Sequence, residues 1–528
     1  MMFDGGTARR RRTAGMAALA CLAVFAGSAI LATLRYATVA DMQSAAGAVQ
    51  QAAWFTVKQA SLSTLLSVGA ALPVAIALQS LYALPGRRLV LALFAIPLSL
   101  PAIAAVFGLL ALFGRNSWIA GLVAWFGRDL RLDVYGLDGI LLAHVFFNMP
   151  LAVRMLTAAL DEIPPEQSKL SEILRFGSAS RIVHVLLPAI RGALPGIAGL
   201  VFLLCAGSYT IVLTLGGGPQ ATTLQVAIQQ ALSMDFDPGR AALLSLAQLA
   251  LTLLVLALLP KAPQSPVATG RAGLQRWHKP GVAESLFAGL CIILACFFAG
   301  LPLLALVTAG LPADHARLLA SPVLIQAVAT STVIALASAV IAVSAALAIA
   351  AALTGLKAGG RSDWWIERAA LATLGIPPLL LGVGWFMLLA GLGHPFALAP
   401  VLIVLANAIM AVPFALQLLK PAVDRHFAQA DRLAAAVRVS GWRRIAMIDL
   451  PVLAPALVSA LFFAGALSFG DLGVVTLYGS DHITTLPALI YRSMGSYRTN
   501  DAAGFVLYLV VITGTLAFAS IRSARHAA

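Results

Sequence analysis

Two stretches, Glu166 to Pro188 and Gln429 to Pro451, concentrate side chains able to engage something other than lipid. Each is basic, carries an apolar stripe and leads into a long apolar run. A shift of 263 residues lays one on the other: Lys169 on Arg432, Leu170 on Leu433, Ile173 on Ala436, Leu174 on Val437, Arg175 on Arg438, Arg181 on Arg444, and Leu187-Pro188 on Leu450-Pro451. In the first copy Pro165 suits a first helical turn and Glu166 the positive helix end, while Leu170, Ile173 and Leu174 share one face before Gly177 can stop the helix. In the second, Asp431 can cap, Leu433, Ala436 and Val437 make the matching face, and Gly441 follows. A helix of roughly ten residues is marginal alone in water, so its apolar face calls for a groove in its own protein or in a partner. The chemistry on offer is docking.

Bond-making signatures are missing. The sequence holds no Gly-Lys-Ser/Thr phosphate cradle, no His-Glu-x-x-His and no clustered carboxylates, and its eight His are scattered. No catalytic residue, metal site or cofactor site is therefore expected, and the chain must dissipate a gradient, use a coupled ion or borrow ATP chemistry from another subunit. Cys21, Cys205, Cys291 and Cys296 sit inside apolar runs and read as small core residues. His144 and Asn148 read as hydrogen-bond partners between helices, with Arg154 reaching toward the end of the same span. Asp471, in Ser468-Phe-Gly-Asp-Leu-Gly473, is an acid in or near a span, where such groups usually face a cavity. Gly216-Gly217-Gly218-Pro219 reads as a tight external turn that a docked partner can approach closely.

The elements that must position these residues are membrane helices. Hydrophobic residues make up 60% and charged residues 11%, with a mean hydropathy of +0.93, against ~25% charged residues in soluble domains. The net charge of +14 is spread between apolar runs and forms no continuous patch, so nucleic-acid binding is excluded. Arg9–Arg12 followed by an apolar run could pass for a signal peptide, but the run is long enough to span and many more follow. Spans are expected at 14–34, 59–81, 89–113, 137–160, 189–215 and 240–260, then 283–311, 324–354, 370–392, 396–419, 452–478 and 502–521. With the N-terminus inside, twenty-five Lys and Arg fall on the inner side and nine on the outer, with Arg154 inside a span. That asymmetry puts both termini and both amphipathic loops in the cytoplasm.

Residues 261–280, rich in Pro, Gly, Lys and Arg, read as a cytoplasmic linker between a first repeat, 1–260 with loop 162–188, and a second, 281–528 with loop 421–451. The repeat reaches beyond the loops: Pro150 matches Pro413 and Gly207 matches Gly470 at the same shift, and Thr222-Thr223-Leu224 matches Thr484-Thr485-Leu486. Six spans per repeat make the copies parallel.

Loops built as short helix, small-residue turn, basic helix and then Leu-Pro resemble the "EAA" loops of binding-protein-dependent ABC importer permeases. The fused layout resembles the thiamine and ferric-iron permeases, and Ser208 to Thr223 with Ala231 to Ala242 is most similar to the thiamine permeases. The resemblance implies an all-α polytopic membrane protein of the type I importer fold, about 12 transmembrane helices in two parallel six-helix repeats, in the bacterial inner membrane. It implies two copies of an ABC ATPase subunit holding ATP and Mg, a periplasmic substrate-binding protein, no ATPase site in this chain and no nucleic acid. Loops Gly216 to Asp237 and Gly479 to Asn500 would meet the binding protein, and Asp471 would either line the route of a cationic cargo or serve as a structural partner for a neighbouring backbone group or Arg. Ferric iron is the alternative cargo, and an ion-coupled carrier the alternative class. The chain departs from the family pattern at the loop glycine, which falls on Arg175 and Arg438, and at the leading glutamate, which falls near Lys169 and Arg432. The docking role is therefore expected of each loop as a whole.

Overall fold

A backbone in lipid finds hydrogen-bond partners only within its own segment or a closed barrel. This chain takes the helical solution, and no strand occurs among the described residues. The computed structural model describes residues 5–37, 39–81, 86–114, 117–125, 134–216, 218, 221–259, 281–358, 376–393, 398–436, 439, 441–478 and 483–527. The helices of the first half used below are α1 (Gly5–Tyr36), α2 (Val39–Ser80), α3 (Ala102–Phe113), α4 (Leu137–Asp161), α5 (Pro165–Ile173), α6 (Leu187–Ala206), α7 (Thr210–Leu215), α8 (Leu224–Ser233) and α9 (Pro238–Leu258). Those of the second half are α10 (Val282–Gly310), α11 (His315–Leu319), α12 (Pro322–Ala358), α13 (Pro378–Ala390), α14 (Ala399–Ala436), α15 (Leu450–Phe469), α16 (Gly473–Tyr478), α17 (Leu486–Gly495) and α18 (Thr499–Ala527). Among the described residues, 11 helices are long and apolar enough to cross a membrane. The expected span 370–392 is represented by α13, with 13 residues, and the linker 261–280 lies outside the described residues.

Three expected spans are interrupted. Pro97 and Pro101 divide 89–113 into Arg87–Leu93, Ile96–Ser99 and α3, because proline lacks the N–H that a continuous helix requires. The runs 189–215 and 452–478 stop at Gly207 and Gly470 and resume as α7 and α16. Hydropathy stays high across both breaks, so composition alone does not disclose them.

The repeat read from the sequence is visible in the elements. Ser178–Arg181, the π-turn Ile182–Leu186, α6 and α7 return 263 residues later as Gly441–Arg444, the π-turn Ile445–Asp449, α15 and α16. Pro188 and Pro451 explain the π-turns: each ring would clash with the carbonyl four residues back, and widening the preceding turn lets the helix continue. A side-chain contact repeats as well. The Leu224 N–H at the start of α8 donates to Thr56 Oγ1 on α2, and the Leu486 N–H at the start of α17 donates to Ser331 Oγ on α12, both at 2.9 Å.

Packing divides the chain differently from the linker, into one unit of residues 50–226 and 251–312 and another of residues 1–49, 227–250 and 313–528. In the first, Leu78, Phe94, Leu156, Leu160, Leu186 and Ile190 form a buried core. There α10, the opening helix of the second half, crosses α3 at Gly108, where an added Cβ would sit 2.5 Å from the Pro302 carbonyl oxygen. In the second unit, Ala339, Ala342, Ala346 and Ala350 line one face of α12 against Ala408, Ala411 and Ala415 of α14. Lipid gives no hydrophobic drive between helices, so small side chains that let backbones approach supply the packing. α1 belongs to this unit and meets α13 at Gly384, where a Cβ would lie 2.2 Å from the Ala29 carbonyl oxygen. Each unit thus takes its opening helix from the opposite half of the sequence.

Candidate functional site

The first amphipathic loop begins where α4 ends. Arg87 donates to both Asp161 carboxylate oxygens at 3.2 Å, fixing that end, and Pro164-Pro165 breaks the chain into α5. α5 buries Ser171 and exposes Leu170, Ile173 and Leu174, with Ile173 77% exposed, while Glu166 and Lys169 also face solvent. The three apolar side chains are bare surface on a nine-residue helix and its C-cap, Leu174. A contiguous apolar face of this kind beside charged groups is the signature of a docking surface.

The helix ends earlier than Gly177. Arg175 adopts φ +50°, and the Phe176 N–H bonds back to the Ser171 carbonyl at 2.9 Å, closing a left-handed C-terminal cap. That position ordinarily calls for glycine, and here an arginine takes the glycine's backbone conformation. Gly177, in extended conformation, instead precedes Ser178–Arg181. The basic helix is then tied down: Arg181 is buried and its Nη2 lies 2.8 Å from Glu284 Oε1 in the first turn of α10, while Ser178 Oγ donates to the other carboxylate oxygen.

The second loop is built otherwise. α14 runs without a break from Ala399 to Ala436, so Asp431, Arg432, Leu433 and Ala436 lie within a long helix and Asp431 is not at a helix start. No Pro-Pro pair stands at the equivalent of Pro164-Pro165, where the sequence has Phe427-Ala428. Val437 and Arg438 lie outside the described residues, and Gly441 opens the short helix to Arg444. Arg444, the counterpart of Arg181, is again buried and ion-paired. Its Nε is 3.4 Å from Asp449 Oδ2, and Asp449 Oδ1 is 2.7 Å from His426 Nε2. The Arg11 guanidinium of α1 stacks 3.6 Å over the Phe427 ring. Each basic helix therefore rests on an acid, half-buried Glu284 in the first and buried Asp449 in the second, and this the sequence did not disclose: Glu284, His426 and Asp449 show no shared spacing.

At the other candidates, Asp471 sits in the break between α15 and α16, its Oδ1 accepting from the Gly473 N–H at 3.2 Å and its Oδ2 buried without a hydrogen-bond partner. Gly216 caps α7, its N–H donating to the Val212 carbonyl at 2.8 Å, and the Gly218 carbonyl accepts from the Ala221 N–H at 3.1 Å; Gly217 and Pro219 lie outside the described residues. His144 and Asn148 do bridge helices, His144 Nδ1 lying 2.9 Å from Ser63 Oγ and Asn148 donating to Cys205 Sγ at 3.3 Å. The other unit repeats the theme with Asn407 and Ser468, which fall 263 residues after His144 and Cys205.

The family model for the inner membrane component of binding-protein-dependent transport systems matches residues 67–261. Over 516 residues the chain is 44% identical to the thiamine transport system permease protein ThiP of Brucella abortus (strain 2308), covering 97% of this chain and 95% of that one. The chain is a binding-protein-dependent transport permease. Similar proteins of the same name come from Escherichia coli (strain K12), 39% identical over 87% of this chain and 86% of the relative, and from Haemophilus influenzae, 32% identical over 91% and 92%. As such a permease it is a multi-pass inner-membrane subunit of an ABC importer, working with an ATPase and a substrate-binding protein.

Proposed function

We propose that this permease imports thiamine, or its phosphate esters, with ATP and Mg held and turned over by two copies of a partner ATPase and with cargo delivered by a periplasmic binding protein. The observation that carries the reading is the near-complete coverage by relatives named for thiamine transport, which spans both loops and the external segments alike. Residues 1–260 and 281–528 act as two repeats joined by 261–280, with both termini and the loops 162–188 and 421–451 in the cytoplasm. The bare face of α5 supports seating in one ATPase groove, with Glu166, Lys169, Leu170, Ile173, Leu174, Arg175 and Gly177 as its loop. Asp431, Arg432, Leu433, Ala436, Val437, Arg438 and Gly441 serve the second ATPase.

In this mechanism the chain makes and breaks no covalent bond. Closure of the ATPases pulls on both loops, and the ion pairs of Arg181 and Arg444 pass that pull to the membrane helices behind them. Gly216, Gly217, Gly218 and Pro219 face the binding protein. Asp471, with one oxygen capping α16 and the other unpartnered, lines the route of the cationic cargo. The test is ATP turnover of the permease–ATPase complex in nanodiscs. Binding protein loaded with thiamine stimulates it and binding protein offered ferric iron does not; the reverse order of stimulation overturns the cargo assignment.

A further inference from the structure

Only three non-glycine residues among those described have positive φ: Arg175 in the cytoplasmic loop, and the aromatic pair Phe236 (φ +51°) and Tyr497 (φ +59°). The two aromatics are counterparts in the repeat. Phe236 follows α8 and precedes α9, Tyr497 follows α17 and precedes α18, and both close the C-terminus of a ten-residue helix. The Asp237 N–H bonds back to the Ala231 carbonyl at 2.8 Å, and the Arg498 N–H to the Ser493 carbonyl at 3.0 Å. Glycine or asparagine is the ordinary choice at such a cap, and a bulky aromatic in this conformation is an outlier costing about 1 kcal/mol or more.

Neither ring repays that cost by packing. Phe236 is 81% exposed and Tyr497 92% exposed, each at the tip of its connection. Both connections lead into spanning helices, α9 and α18, at the end away from the linker and the C-terminus. Under the orientation given by the basic residues, that end is external. The surroundings of the two rings differ in charge: Phe236 stands between the exposed Asp235, which is ion-paired with Arg240, and the exposed Asp237, whereas Tyr497 is flanked by the exposed Arg492 and Arg498, with Asp501 beyond them ion-paired to Arg317.

We infer that Phe236 and Tyr497 are paired anchors for the binding protein, each entering an apolar recess on it, the first recess rimmed by basic groups and the second by acidic ones. Exposed aromatics are the side chains that most often dominate an interface, and charges of opposite sign at the two points allow a single docking orientation. This rests on the importer reading above and deepens it by naming the contact points.

The test uses the full permease–ATPase complex in nanodiscs and the thiamine-loaded binding protein of the same importer, with affinity measured directly. Phe236→Gly and Tyr497→Gly remove the ring while relieving the backbone, so each should weaken binding tenfold or more, with assembly checked by gel filtration. Tyr497→Phe should bind as wild type. Asp237→Asn, which keeps an Oδ1 to accept from the Arg240 backbone N–H, should weaken binding at low salt more than at high salt. Glycine variants that assemble and bind within twofold of wild type overturn the anchors while leaving the importer reading intact. A wild-type complex that binds no such protein overturns both.

Discussion

Replacing Glu284 with alanine leaves the Arg181 guanidinium in place without its anion, and the consequence can be worked from the geometry. The Arg181 side chain is 5% exposed and that of Glu284 17%. Removing one partner of a buried pair costs about 3–5 kcal/mol, and water reaching Glu284 sets the lower end, about 3 kcal/mol, as the figure here. At about 1.4 kcal/mol per factor of ten, openings that free Ser178–Arg181 from α10 become roughly a hundredfold more populated. Hydrogen exchange with mass spectrometry on the permease–ATPase complex reads this, amides of residues 178–186 exchanging about a hundredfold faster. Replacing both partners, Arg181→Met with Glu284→Leu, should recover most of the protection, because the penalty lies in the unpaired charge. An exchange rate in the single variant within threefold of wild type, or a double variant no better protected than the single, refutes the reasoning.

Leu170→Asp and Leu433→Asp are expected to abolish cargo-stimulated ATP turnover while leaving membrane insertion intact; stimulation at wild-type level would remove the docking role of the loops. Arg175→Gly frees the cap of α5 from its φ of +50° and should slow amide exchange at the end of that helix, a gain of about 1 kcal/mol, whereas faster exchange would show that the arginine side chain holds the cap. Asp471→Asn keeps an acceptor for the Gly473 N–H but removes the charge. Thiamine uptake in proteoliposomes should then show a KM raised about tenfold, and an unchanged KM assigns Asp471 to capping alone.

Membrane class, helical content and the internal repeat were legible because each is written in local pattern: apolar runs, basic punctuation, and a shift that carries Arg181 onto Arg444 and Pro188 onto Pro451. What escaped the sequence is what distance along the chain conceals. Glu284 lies 103 residues from Arg181, and nothing local in Val282–Leu286 marks it as the partner of the loop. The exchange of opening helices was equally hidden, since α1 and α10 are apolar nearly all round and composition does not say which neighbour each meets. Within the loops, the pattern at Leu433 and Ala436 matched that at Leu170 and Ile173 while the backbones diverged. Pro164-Pro165 makes a break that Phe427-Ala428 does not, so α14 runs through a region expected to hold a separate helix. Arg175 shows the converse: its side chain departs from the family glycine, yet its backbone takes up the left-handed turn.

Uptake of labelled thiamine into sealed vesicles carrying this permease tests the central claim most directly. With the ATPase and ATP on the loop side and loaded binding protein on the opposite side, accumulation against a gradient is predicted, and omitting the ATPase should abolish it. Accumulation that persists without the ATPase, driven by a proton or sodium gradient, would contradict the account.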